Sequence, residues 1–397
     1  MTGGGSGLPA PASANALALL RFPDRRTTWA VVAAATLAAP VDRLQDRLEA
    51  LHRAVPMTGA RLRRETWHPG SPPDPLIVDG DPLAAPALID RFDLATQPPL
   101  RVVAGSGGRR LAVACHHAAF DGLGLLALLA ALTGGEDNHR AGEEDSPVVG
   151  GVDSRGSPPS GSATLPLRGA EPREAGLEAA PVGSGPARPR PEVRGLLGRA
   201  VRPADRVAAS LVRPGREALA VREVELAGAG VTARVADAAV AAAGARNSRF
   251  GRRWRRVGLN FGLAGLPGGG GGVGNSSRYR RVDLRPGEPV GPALAAALAS
   301  PREPLDQVWS PRWGWLLEPV VGRFSDSLLI SNLGRREVPG ATRLEFFPVA
   351  RGRSAVAVGA AGLAGGPSTV SVRARDLTSE DAEALLDDLV ARLVVGR

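Results

Sequence analysis

The stretch LAVACHHAAFDGLGLLALLAAL, residues 111 to 132, sets two adjacent histidines and an aspartate inside an otherwise almost wholly apolar run. A strand pattern ends at His116 and His117 and a helical one opens at Gly122, so both imidazoles stand at a strand-to-helix junction in apolar surroundings. Burial without a partner disfavours the imidazolium, and a histidine placed there is held neutral. A neutral imidazole at pH 7 takes a proton from a hydroxyl or an amine. That is general-base chemistry, worth roughly 100- to 10,000-fold in rate when well oriented. Asp121, four residues beyond His117, is placed to hold the turn by accepting backbone or arginine hydrogen bonds, and Gly122 permits close approach of the backbone to a ligand.

Other chemistries fit these residues less well. Neighbours in a strand point to opposite faces, and His52, His68 and His139 follow no ligand spacing, so no metal is expected. No G-x-S-x-G elbow occurs, which weakens a serine hydrolase. A buried structural histidine pair remains the competing reading from the residues alone. The single cysteine, Cys115, rules out an internal disulfide framework and reads as a small buried hydrophobe. It suits a reducing cytoplasm, the expected location. The apolar stretch WAVVAAATLAAPV has 13 residues against about 20 for a bilayer crossing, and residues 1 to 20 lack the charged start of a signal peptide. All 49 basic residues are arginine, and the net charge of +9 is compatible with nucleic acid, an acidic carrier protein or a phosphorylated cofactor, or with arginine drift in a GC-rich genome.

The elements that must position the motif follow from periodicity. A leader over 1–15, MTGGGSGLPAPASA and one residue more, reads as flexible. VDRLQDRLEALHRAV steps its apolar residues by three and four, an amphipathic helix. LIVDGD and LRVVAGSGGRRLAVACHH read as strands, the latter a hairpin turning at Gly105–Gly108, and GLGLLALLAALTGG as a buried helix. This N-terminal unit spans 16–135. Residues 136–202 shift to Gly, Pro, Ser, Arg and Glu without periodicity, a low-complexity linker or disordered insertion. The C-terminal unit, 203–397, holds an alanine-rich helix capped near Thr232, several strands, a tryptophan-bearing segment with Trp309, Trp313 and Trp315 as core or channel wall, and a closing helix with an S-x-x-[DE] type cap. Strands and helices mix in both units, which argues for two α/β units.

HHAAFDG, His116 to Gly122, matches HHxxxDG, the signature of the chloramphenicol acetyltransferase-like superfamily of nonribosomal peptide condensation domains, polyketide-associated acyltransferases and wax ester synthases. FDLATQPPLRVV, VTARVADAAVAAAGA, GGGVGNSSRYRRVDL and ISNLGR resemble further segments of that superfamily, so the likeness covers all but the leader and the linker. The resemblance implies two similar α/β subdomains in a V with an active-site channel between them. A coenzyme A or phosphopantetheinyl carrier-protein thioester enters from one side and an alcohol or amine from the other. It implies His117 as the general base, His116 and Asp121 as structural, Asp121 paired with an arginine, and Gly122 at the reaction point. No permanently bound cofactor, no metal, no nucleic acid and no membrane span are expected.

The condensation-domain opening signature and a D-F-G-W-G are missing, PRWGW being the nearest stretch, so the chain resembles a free-standing acyltransferase of specialised metabolism more than a synthetase module. In PMTGARL, Gly59 stands where relatives carry arginine, which leaves Arg61, or Arg63, as the expected partner of Asp121. Ser331 and Asn332 are candidates for binding substrate by donating to a tetrahedral oxyanion, or else a polar pair capping a strand. Arg252, Arg253, Arg255 and Arg256 read as contacts for coenzyme A phosphates or an acidic carrier helix, or as a solvated face. The alternative function is a catalytically inactive condensation-like docking module that binds carrier proteins.

Overall fold

The computed structural model describes residues 7–22, 24, 26–134, 202–263, 274–300, 325–352 and 355–395. Strands β1 (Ala10–Pro11), β3 (Arg61–Arg63) and β4 (Thr66–His68) form a small sheet ordered β1-β4-β3. A five-stranded sheet, ordered β12-β2-β7-β6-β5, joins β2 (Ala30–Leu37), β5 (Leu76–Val78), β6 (Leu100–Gly105), β7 (Arg110–His116) and β12 (Ala341–Phe347). A six-stranded sheet, ordered β10-β9-β11-β13-β14-β8, joins β8 (Ala218–Val224), β9 (Val257–Leu263), β10 (Arg278–Leu284), β11 (Leu328–Arg336), β13 (Val356–Leu363) and β14 (Ser368–Ala374). The helices are α1 (Ala14–Leu20), α2 (Leu44–Ala54), α3 (Gly122–Thr133), α4 (Val231–Arg249), α5 (Val290–Ala299) and α6 (Ser379–Val395). Among the described residues no helix is long and apolar enough to cross a membrane.

Each larger sheet carries its own apolar core. Successive residues from Ala30 to Ala35 are all buried, so both faces of β2 are covered, as its unbroken apolar run requires. The buried side of α3, with Leu125 and Leu129, belongs to the same core. In the second core the alanine-rich α4 buries Ala236, Ala239 and Ala243 together with Leu386 and Leu389 of α6. The helix that closes the chain is capped as the sequence implies: Thr378 Oγ1 accepts from the Asp381 amide at 3.3 Å.

Four expectations change. The leader is built in from residue 7: β1 pairs with β4, and Ser13 Oγ accepts from the Ala16 amide at 3.1 Å to cap α1. The alanine-rich helix starts after Gly230, whose φ is +70°, and Thr232 lies inside its first turn, where its hydroxyl accepts from Asn332. α5 was not expected. Finally, 203–397 is not a self-contained unit, because β12 crosses to the first sheet and pairs antiparallel with β2, Leu344 opposite Ala35 and Phe346 opposite Ala33. The interval 136–202, Arg202 apart, and Trp309, Trp313 and Trp315 lie outside the described residues.

The crossing strand makes the seam between the two sheets. Thr369 Oγ1 of β14 donates to the Leu344 carbonyl at 2.7 Å, and Ser371 Oγ donates to that of Phe346. A Cβ at Gly359 of β13 would overlap the Phe346 carbonyl oxygen, so only glycine lets the strands approach this closely. Arg373 of β14 is fully buried; it pairs with Glu217 at 2.5 Å and reaches across to Thr28 Oγ1 at 3.0 Å and the Ala30 carbonyl at the start of β2.

Candidate active site

The motif hangs between the end of β7 and the start of α3. Two distant carbonyls anchor it: the His117 amide donates to that of Trp29, just before β2, at 2.8 Å, and the Asp121 amide to that of Gly274 at 3.1 Å. The two imidazoles then part. His116 turns into the first core, edge-on to Phe92, with Nδ1 accepting from the Ala118 amide at 3.1 Å. Burial, with the charges of His117, Arg101 and Arg91, pushes its pKa down to about 3.

His117 faces a cleft between the sheets. Its Nδ1 lies 3.2 Å from the Phe120 carbonyl, which can only accept, so the proton sits on Nδ1. Nε2 therefore carries the lone pair, and Tyr279 Oη, 2.6 Å away, donates to it. Burial lowers the His117 pKa, opposed by the Phe120 carbonyl and Asp121 and reinforced by Arg351. The imidazole is neutral at pH 7 and basic at the nitrogen that faces the cleft.

Asp121 is the cap of α3. Its Oδ1 accepts from the Gly124 amide at 2.8 Å, and Oδ2 accepts from both the amide and the hydroxyl of Ser276 at 2.9 Å. Next to it Asn275 donates its side-chain amide to the His117 carbonyl, and Asn15 of α1 donates to Asn275 Oδ1 at 3.0 Å and to the Ser277 carbonyl at 3.2 Å. The motif is thus fixed from the second half of the chain and from its N-terminal segment together. A Cβ at Gly122 would stand 3.1 Å from Leu333 and Phe346 side-chain carbons, so glycine lets α3 begin against β11 and β12. The cleft itself is partly open to solvent, is bounded by His117, Gly122, Tyr279 and Ser331 and has a mainly apolar wall.

No protein-family model matches the chain, and no curated protein matches it by sequence. Solved structures do match in shape. The starter condensation domain of rhizomide synthetase in complex with C8-CoA superposes with a TM-score of 0.57 at 12% identity, over 97% of this chain and 94% of that one. The first condensation domain of the CDA synthetase gives 0.56 at 16% identity, over 98% and 96%. A third match is the enacyloxin polyketide synthase structure, described as the basis of condensation domain-mediated chain release, at 0.51 and 14% identity over 99% and 83%. The chain has the condensation-domain fold.

Within the condensation-domain fold several expected positions fall elsewhere. Arg61 is not the partner of Asp121. It donates through Nε to the Thr96 carbonyl at 2.9 Å and through Nη1 to those of Gly59 and Ala60. Among the described residues no arginine is ion-paired with Asp121, Arg63 included; neutral donors meet its carboxylate instead. At Gly59 a Cβ would run into the Ser71 carbonyl, so no side chain fits there. Ser331 and Asn332 of β11 both line the cleft. Asn332 already donates to Thr232 Oγ1 at 3.1 Å and accepts from the Gly334 amide at 2.9 Å, whereas Ser331 lines the cleft beside Ser277 and Tyr279. Arg252, Arg253, Arg255 and Arg256 are exposed before β9, whose far end lines the cleft, roughly 20 Å along the strand. Tyr279, Ser276, Asn275 and Asn15 are the residues of the site that the motif did not point to. Two signals were present: the stretch GGGVGNSSRYRRVDL, which resembles a segment of the superfamily, holds Asn275, Ser276 and Tyr279, and Tyr279 is the sole tyrosine of the chain.

Proposed function

We propose that the protein is an acyltransferase that moves an acyl group from a coenzyme A or carrier-protein thioester to a hydroxyl or an amine in specialised metabolism. The observation that carries this reading is the placement of His117: Nδ1 against the Phe120 carbonyl and Nε2 turned into a mainly apolar cleft, with burial favouring the neutral imidazole. A base so placed removes the acceptor's proton as the acceptor attacks the thioester carbonyl, and the imidazolium returns that proton to the departing thiolate. Ser331 is the candidate donor to the oxyanion, and the apolar wall suits an acyl chain. Coenzyme A or the phosphopantetheine arm is donor substrate, not a resident cofactor. A neighbour of the same fold has been captured with C8-CoA, and the CDA synthetase domain with a substrate analogue.

The test is thioester consumption. Purified protein and its His117→Ala variant are incubated with acyl-coenzyme A and acyl-carrier donors and with alcohols and amines, and free thiol and product mass are followed. Turnover by the wild type that falls at least 100-fold in the variant is expected for loss of a general base. Equal background in both proteins, with acyl-carrier binding retained, would identify a docking module instead.

A further inference from the structure

Nε2 of an imidazole has one in-plane lone pair, and in this site Tyr279 already occupies it. An acceptor hydroxyl cannot donate to the same lone pair at the same time. Nor is Tyr279 placed to swing aside. Its ring packs on Leu329, Ala350 and Ala357, the Arg351 guanidinium lies over its face at 4.2 Å, and it stands edge-on to His117. Burial raises the phenol's pKa, with Arg351 opposing and Asp121 assisting, so the hydroxyl keeps its proton at neutral pH and donates. For packing alone phenylalanine would serve, and the chain has eight of those against one tyrosine.

We infer that Tyr279 is a second catalytic residue of this site, a relay through which the acceptor's proton reaches His117. This rests on the acyl-transfer reading and deepens it. The acceptor O–H or N–H donates to Tyr279 Oη while the Tyr279 proton moves to His117 Nε2. One proton enters the phenol and one leaves it. The acceptor's freed electron pair forms the bond to the acyl carbon, and the carbon–sulfur bond breaks as the tetrahedral intermediate collapses. The imidazolium proton then returns through Tyr279 to the thiolate, and both residues end as they began. The acceptor is therefore seated against β10, beyond the phenol, and not against the imidazole itself.

The decisive variant is Tyr279→Phe, which keeps the ring and its packing and removes only the hydroxyl. Turnover is measured beside wild type and His117→Ala, and the 15N resonance of His117 Nε2 is compared between wild type and Tyr279→Phe. The relay requires kcat to fall about 100-fold in Tyr279→Phe with KM little changed, and the Nε2 resonance to move when the phenol is removed. A Tyr279→Phe enzyme as fast as wild type, or faster, overturns the relay and leaves acyl transfer standing, since His117→Ala still abolishes it. An unchanged Nε2 resonance overturns the relay whatever the turnover. Absence of wild-type turnover across the donor panel brings down acyl transfer and the relay with it.

Discussion

At the scale of single residues, the two histidines tie activity and stability to pH in the same direction. His117 acts as a base only when neutral, and its pKa lies below the ordinary value of 6.5. kcat/KM is therefore expected to be flat through neutral pH and to fall only on acidification, at an inflection below 6.5. In the unfolded chain both imidazoles take up protons near pH 6.5, whereas the folded ones resist, His116 down to about 3. Their contribution to stability is thus fully present above about 6.5 and is lost as pH drops from there. Urea unfolding followed from pH 7 to pH 4 should show a shallower decline for His116→Asn, whose Oδ1 can still accept from the Ala118 amide; equal slopes would place the protons elsewhere. The histidine pair, Asp121 and Gly122 were legible because they are contiguous and their types are rare in an apolar run. Tyr279 and Ser276 lie in a stretch marked by resemblance alone; their own contacts were not legible, since 162 and 155 residues separate them from their partners. Arg61 was misplaced for a related reason. The resemblance implied an arginine partner for Asp121, but the carbonyls of Gly59, Ala60 and Thr96 take the Arg61 guanidinium instead.

At the scale of elements, periodicity located most strands and helices, and composition misled where it was the only guide. α5, VGPALAAALA, is too uniformly small and apolar to show a polar face, and the Gly-, Pro- and Ser-rich start of the chain concealed a capped helix and a strand. The close approach of β12 to β13 is invisible in either strand alone. It yields a paired expectation. Gly359→Ala, which must displace the Phe346 carbonyl, should lower the free energy of unfolding by about 1–3 kcal/mol with the denaturant slope unchanged. Gly291→Ala, near the start of α5, meets only Ala233 Cβ at 3.7 Å and should be neutral or stabilising by up to about 1 kcal/mol. A Gly359→Ala protein as stable as wild type would mean that the seam has room the geometry denies.

For the whole molecule, the interlocking of the two larger sheets was not legible, because it depends on one strand and one arginine crossing over. Arg373→Met would leave Glu217 buried without its cation, at an expected cost of about 3–5 kcal/mol. Because Arg373 holds the Ala30 carbonyl and Thr28 as well, hydrogen exchange should show β2 and β14 losing protection by the same increment. Loss confined to β14 would show instead that the halves open independently. The exchanged strand also governs how such a chain can be recombined. Joining the first 134 residues to the second half of another protein of this fold would bring in a foreign β12, which would have to match Ala33 and Ala35 of the host in register while facing its own β13 and β14. Chimaeras cut at the midpoint therefore inherit a mismatched edge, and those most apt to fold carry the segment 341–347 with the half that receives it.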